Sequence, residues 1–105
     1  MAATITQEGT TLVLAGGNSP YAQDHDALKD VPGVIIVSSV DKDNNHGSTG
    51  HAHKSSIDIC APGKNISVAT KNNSIMTESG TSLAAPYVSG TIGLMLSVNS
   101  DLTPA

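Results

Sequence analysis

No charged residue occurs between Glu78 and Asp101. A run this long and uncharged must leave water, as a helix in a protein interior or across a membrane. Pro86, Gly90, Gly93 and several Ser, Thr and Asn residues lie within it, which argues against a lipid-facing span. A buried core helix is therefore expected from about residue 82 to residue 98. It opens on Ser79-Gly80-Thr81-Ser82, a small-residue turn that sets a hydroxyl at the helix start. A helix N-terminus offers unpaired N–H groups and partial positive charge to a developing anion. The residues alone leave Ser82 two readings: a helix N-cap, worth about 1 kcal/mol, or a nucleophile. Pro86 falls about four residues into the helix, one step past the positions where a missing N–H is free. Gly90 and Gly93 predict close packing against a sheet rather than intrinsic helicity.

Upstream, the chain reads as short apolar runs separated by turns. Residues 1–8 read as the tail of a helix, with Gly9 as its C′ residue. Residues 10–15 (TTLVLA) predict a buried strand, which ends in the loop Gly16-Gly17-Asn18-Ser19-Pro20. Residues 21–29 are polar with room for a helical turn, and Asp30-Val31-Pro32-Gly33 is a turn. Val34–Val40 (VIIVSSV) is the strongest strand signal; residues 41–56 read as loop. Residues 57–60 predict a short strand stopped by Ala61-Pro62-Gly63, with Cys60 as a small apolar core residue. Residues 65–70 and 74–78, joined by Lys71-Asn72-Asn73, read as a hairpin. After the helix, Pro104 suggests the first turn of another. Strands buried on both faces beside a buried helix indicate an α/β fold with a parallel sheet, here of only about three strands and incomplete. With 105 residues, the chain is one domain at most.

Composition narrows the partners. The five basic residues are lysines scattered from Lys29 to Lys71, and net charge is −4, so nucleic acid is not an expected partner. Cys60 is the only cysteine, so no internal disulfide is possible and the redox compartment stays open. Met1-Ala2-Ala3 is not followed by the charged and apolar regions of a secretory leader, and no membrane association is expected. His51 and His53 could share one side of an extended segment near His46, Asp41 and Asp43. Asp41-Lys42-Asp43-Asn44-Asn45 starts like a calcium loop, but Gly47 comes one place late and Ala52 stands where the bidentate Glu belongs. No metal site is assigned. Asn65-Ile66-Ser67 and Asn72-Asn73-Ser74 match the glycosylation triplet.

Gly80-Thr81-Ser82-Leu83-Ala84-Ala85-Pro86-Tyr87-Val88-Ser89-Gly90 closely resembles the nucleophile motif of the subtilisin-like serine proteases, the subtilases. The family pattern is Gly-Thr-Ser-Met-Ala-Ala/Ser-Pro-His-Val-Ala-Gly; Leu83 and Tyr87 depart from it, at positions that do not carry the chemistry. Residues 12–19 (LVLAGGNS) are similar to the family strand that ends in the oxyanion-hole asparagine. Residues 33–41 and 57–63 (IDICAPG) resemble two further family segments, in the family's order. The resemblance implies a subtilisin-like fold over residues 1–105, present as the C-terminal part of a catalytic domain: parallel strands, a hairpin and the buried nucleophile helix. It implies a serine endopeptidase working through an acyl-enzyme, with Ser82 as nucleophile and Asn18 as oxyanion-hole donor. Ala15, Gly16 and Gly17 would line the pocket for the substrate side chain before the cleaved bond, with Gly80 and Thr81 also at the substrate. The residues alone leave Asn18 the plainer reading of a turn asparagine after Gly-Gly.

The family triad comes in the order Asp, His, Ser. Neither the Asp-Ser/Thr-Gly motif nor the His-Gly-Thr-His motif occurs before Asn18. His46-Gly47-Ser48-Thr49-Gly50 looks like the latter, but follows Val34–Val40 and so stands in the wrong place. A serine hydroxyl is a poor nucleophile until a base takes its proton, so the isolated chain is expected to be inactive. The implied partners are a peptide or protein substrate and the missing N-terminal half of the catalytic domain. No cofactor is required, although calcium is possible in the parent protein, and a secreted or cell-surface location is expected. Two alternatives remain: a non-catalytic subtilase-like module that binds extended peptides, and an unrelated α/β binding domain with Asn18 and Ser82 far apart.

Overall fold

The computed structural model describes residues 6–17, 31–45 and 57–104. Within them, Leu12–Ala15 (β1), Val34–Val40 (β2) and Ile59–Pro62 (β3) form a parallel sheet in the order β1-β2-β3. Val13 pairs with Ile35, and Val37 with Ile59. The central strand is buried on both faces: Ile36, Val37 and Ser38 have no exposed surface. A strand shielded on both sides needs no polar alternation, which is why VIIVSSV reads as a continuous run.

Strand β3 lies two residues later than the sequence suggests. The chain reaches the sheet at Asp58, whose N–H donates to the Ile36 carbonyl while its Oδ2 accepts from the Ile36 N–H, both at 2.9 Å. The carboxylate thus takes the place of a ladder carbonyl, and the register from Val37↔Ile59 to Val40↔Pro62 follows. Pro62 does not stop the strand, because a proline is tolerated where only one side of the strand is paired. The outer position also corrects the assignment of Cys60 to the core: Ile59 and Cys60 are exposed, and only Ala61 of β3 is buried.

Ile66–Thr70 (β4) and Ser74–Glu78 (β5) form the expected antiparallel hairpin, with Ile66 opposite Glu78 and Thr70 opposite Ser74. Its turn holds Asn72 (φ 62°) and Asn73 (φ 58°) in left-handed conformation. Asn44 and Asn65 also have positive φ; every non-glycine residue of this kind among the described ones is an asparagine. Its short side chain bonds locally and lowers the steric cost of that region.

Thr81–Val98 (α1) packs across all three parallel strands. Val37, Ala61, Ala84 and Val88 make the shared core, flanked by Val13, Ile35, Ala85 and Ile92. The helix begins one residue earlier than expected and ends at Val98, as expected, with Asn99 as its C-cap. Its predicted burial is not observed. Only Thr81, Ala84 and Val88 are buried, whereas Leu94 is 71% and Val98 89% exposed. Three short strands cover only one side of its N-terminal half. The predicted close packing of Gly90 and Gly93 also fails: a Cβ on either would meet no atom within 4 Å. By length and composition alone α1 could cross a membrane; here its first turns are docked on the sheet.

The start of the chain agrees with expectation where it is described. Thr6 and Gln7 are helical, and Gly9 (φ 94°) closes that turn through its N–H to the Thr6 carbonyl. Leu102–Pro104 form no helix, and Pro104 packs against Gly33. The proposed helical turn in residues 21–29, and His46, His51 and His53, lie outside the described residues.

Candidate active site

Three backbone segments converge where α1 begins. Gly80 is the N-cap residue, with φ 150° and ψ 164°, and it makes no side-chain capping bond. Its N–H donates to the Gly63 carbonyl at 2.7 Å, and the Gly63 N–H donates to the Val40 carbonyl at 3.0 Å. The helix start is therefore moored to the end of β2 through the residue after β3. Gly63 permits this approach. A Cβ there would lie 2.4 Å from the Ser39 Cβ and 2.7 Å from the Gly80 carbonyl oxygen, closer than any side chain can sit.

From the other side, the Gly17 N–H donates to Thr81 Oγ1 at 3.1 Å. Thr81 is the first residue of α1 and is 1% exposed. Its hydroxyl joins the end of β1 to the start of the helix across 64 residues of sequence. Asn18 lies outside the described residues, but Gly17 precedes it directly. The residue before Asn18 is thus bonded to the residue before Ser82.

Ser82 is exposed at the second position of the helix. It is not a cap, since that position belongs to Gly80. The Leu83 N–H turns back on the Gly80 carbonyl at 3.1 Å, while the Ser82 N–H finds no acceptor among the described residues. The first turn carries no acidic side chain to neutralise its dipole. An exposed hydroxyl and an open N–H therefore share the positive end of the helix. Pro86 is the sixth helical residue, one place further in than expected because the helix starts at Thr81. The N–H it lacks would have bonded the carbonyl of Ser82, four residues earlier.

The segment Ala15-Gly16-Gly17 is closely held by its neighbours. Ala15 and Gly17 are half-buried, and Gly16 is buried with its N–H on the Val37 carbonyl at 2.8 Å. A Cβ on Gly16 would meet Ile57 Cδ1 at 2.5 Å. Gly17 has φ 105°, so a side chain there would strain the backbone whatever space it met. Substituting these glycines tests backbone geometry before it tests pocket size.

The family model of the subtilases, peptidase family S8, matches residues 1–105. The chain belongs to the subtilase family. It is 34% identical to the alkaline extracellular protease of Yarrowia lipolytica over 95% of its own length and 24% of that protein's. It is 32% identical to subtilisin-like protease 2 of Arthroderma otae over 92% of its length and 23% of that protein's. Among solved structures, a cold-adapted subtilisin-like serine proteinase superposes with a TM-score of 0.85 at 34% identity. That match covers 96% of this subtilase chain and 37% of the other. The chain thus spans about a quarter of the curated relatives it matches. Subtilases are serine endopeptidases, and the partial parallel α/β architecture is theirs.

Among the described residues no three His, Cys, Asp or Glu side chains stand together as a metal site. Asp41 spends its carboxylate on its own loop: Oδ1 accepts from the N–H groups of Asn45 and Asp43, each at 2.9 Å. Those two bonds, Asn45 first, hold its pKa below the ordinary 3.8. Residues 41–45 thus form a closed turn; the rest of the calcium-like stretch lies outside the described residues. The sequence marked Asp58 and Gly63 only as members of the IDICAPG segment; their roles arise from contacts between strands.

Proposed function

We infer that this chain is part of a serine endopeptidase in which Ser82 attacks the scissile carbonyl. Asn18 and the Ser82 N–H would bind the resulting oxyanion. The observation that carries this reading is the Gly17 N–H to Thr81 Oγ1 bond. It brings the neighbours of the two proposed groups together, as an unrelated binding domain would not require. Donors set around a developing oxyanion act on charge that exists only in the transition state. Loss of one such donor in a subtilisin lowers kcat by about 10²–10³-fold. The hydroxyl still needs a base, and an imidazole oriented by a carboxylate would come from a segment carrying the family's Asp and His motifs. The substrates are peptides or proteins. The name of the Yarrowia lipolytica relative favours action outside the cell.

Two measurements test this. Transplanted into the corresponding segment of the Yarrowia lipolytica protease, the chain should support peptide hydrolysis, and Ser82→Ala should abolish it. An active Ser82→Ala chimera would remove Ser82 from the mechanism. The chain alone should react with a fluorophosphonate probe no faster than its Ser82→Ala variant. Labelling at the rate of an intact subtilase would show that it carries its own base.

A further inference from the structure

The hairpin contains a motif that proteolysis does not use. Asn72-Asn73-Ser74 occupies its turn, and Asn65-Ile66-Ser67 occupies its base. Both fit the Asn-x-Ser acceptor pattern for N-linked glycans. The fold treats them differently. Asn72 is exposed at the tip with φ 62°, beyond the last strand pair, Thr70↔Ser74. Its carboxamide makes no hydrogen bond with any described group, and the Ser74 hydroxyl donates to the Asn72 backbone carbonyl at 3.5 Å. The Asn65 carboxamide is equally unbonded and the residue is exposed, but its backbone N–H donates to Ser79 Oγ at 2.9 Å and it lines a cleft with Asp41, Lys42, Asp43 and Lys64. Closing the hairpin, with Ile66 opposite Glu78, draws Asn65 beside the turn that leads into α1.

We propose that Asn72 is an N-glycosylation site, used in preference to Asn65. The proposal rests on the extracellular reading above, which routes the protein past the transferase. The co-substrate is an oligosaccharide linked to a lipid diphosphate. Asn72 Nδ2 attacks its anomeric carbon; the C–N bond forms and the anomeric C–O bond breaks. The lipid diphosphate leaves with the electron pair, and Nδ2 gives up one proton to the transferase. A hairpin closes within about 1–10 μs, so an acceptor must stay accessible after closure as well as before it. The tip does so at the free end of the hairpin; Asn65 also stays exposed, but within the cleft and with its backbone tied to Ser79. A glycan at the tip would stand beside Ile75, which is 77% exposed, and shield it.

The test is translation of the full chain, with a cleavable secretory leader, into eukaryotic microsomes. Only protease-protected material is scored. The expected result is one mobility shift, reversed by peptide:N-glycosidase, lost in Asn72→Gln and in Ser74→Ala, and kept in Ser74→Thr and in Asn65→Gln. Protected chain without a shift overturns the proposal, as does a shift that survives Asn72→Gln and disappears in Asn65→Gln. Because the leader delivers the chain to the lumen whatever its natural address, failure here leaves the protease reading untouched.

Discussion

Thr81 is the residue on which the site's geometry turns. Its hydroxyl is buried and holds the Gly17 N–H, so removing it leaves a donor with no partner at a shielded position. Such a loss costs about 1–3 kcal/mol. Thr81→Val, nearly the same shape, should speed amide exchange at Gly17 by the corresponding factor, and Thr81→Ser should restore protection. Equal protection in threonine and valine forms would show that the bond does not hold the two segments together. Asp41 makes a separate prediction. Its folded pKa lies below 3.8 because two N–H groups favour the carboxylate. A depressed pKa stabilises the fold above the unfolded value, and that stability is lost as pH falls through the folded one. Carbon-detected NMR titration should place the Asp41 midpoint below 3.8, and Asp41→Asn should flatten the stability profile below about pH 4. Ser82 was legible as chemistry because its neighbours form a motif. Thr81 was legible as a motif member, but not as a tether, since its partner is 64 residues away.

Elements were read best where local pattern and tertiary position agree. VIIVSSV is a strand over the span expected, and Asn72-Asn73 make the expected turn. The third strand was displaced because its start is fixed by Asp58 on Ile36, a contact no local pattern contains. Helix α1 was placed correctly along the chain and misjudged in burial. Hydropathy reports what a segment can bury, whereas exposure depends on which layers are present. Within α1, Pro86 breaks the hydrogen-bond ladder at the carbonyl of Ser82. Pro86→Ala should restore that bond and raise helix stability by up to about 3 kcal/mol, read from denaturant unfolding. In the transplanted enzyme it should also lower kcat more than it changes KM, if the broken first turns set the orientation of Ser82. Unchanged kinetics would leave Pro86 without a role in positioning.

The molecule as a whole exposes more than its size warrants. Its accessible surface is 6740 Å², against about 5,500 Å² for a folded monomer of 10.6 kDa. Among the described residues, several large apolar side chains are exposed. A groove of about 560 Å³ runs between β3 and α1, lined by Ile59, Pro62, Tyr87, Val88, Ile92 and Met95 among others. Leu94, Met95 and Val98 stand open along the helix. A parallel edge beside uncovered apolar surface invites association. The isolated chain should sediment as concentration-dependent oligomers. Leu94→Lys with Val98→Lys should shift it toward monomer. A monodisperse monomer with sharp cooperative unfolding would show that this surface is tolerated.

The sequence by itself determined the family, the order of strands and helix, the hairpin and its asparagine turn, and the presence of Ser82 at a helix start. These follow from local pattern: β-branched runs, turn residues, and a motif whose members are contiguous. Tertiary structure alone decided that Gly80 rather than Ser82 caps the helix. It also decided that Gly63 and Thr81 moor that cap to β2 and to the end of β1, and that most of α1 lies exposed. Each of these depends on contacts between residues far apart in the chain, whose distances are fixed by packing.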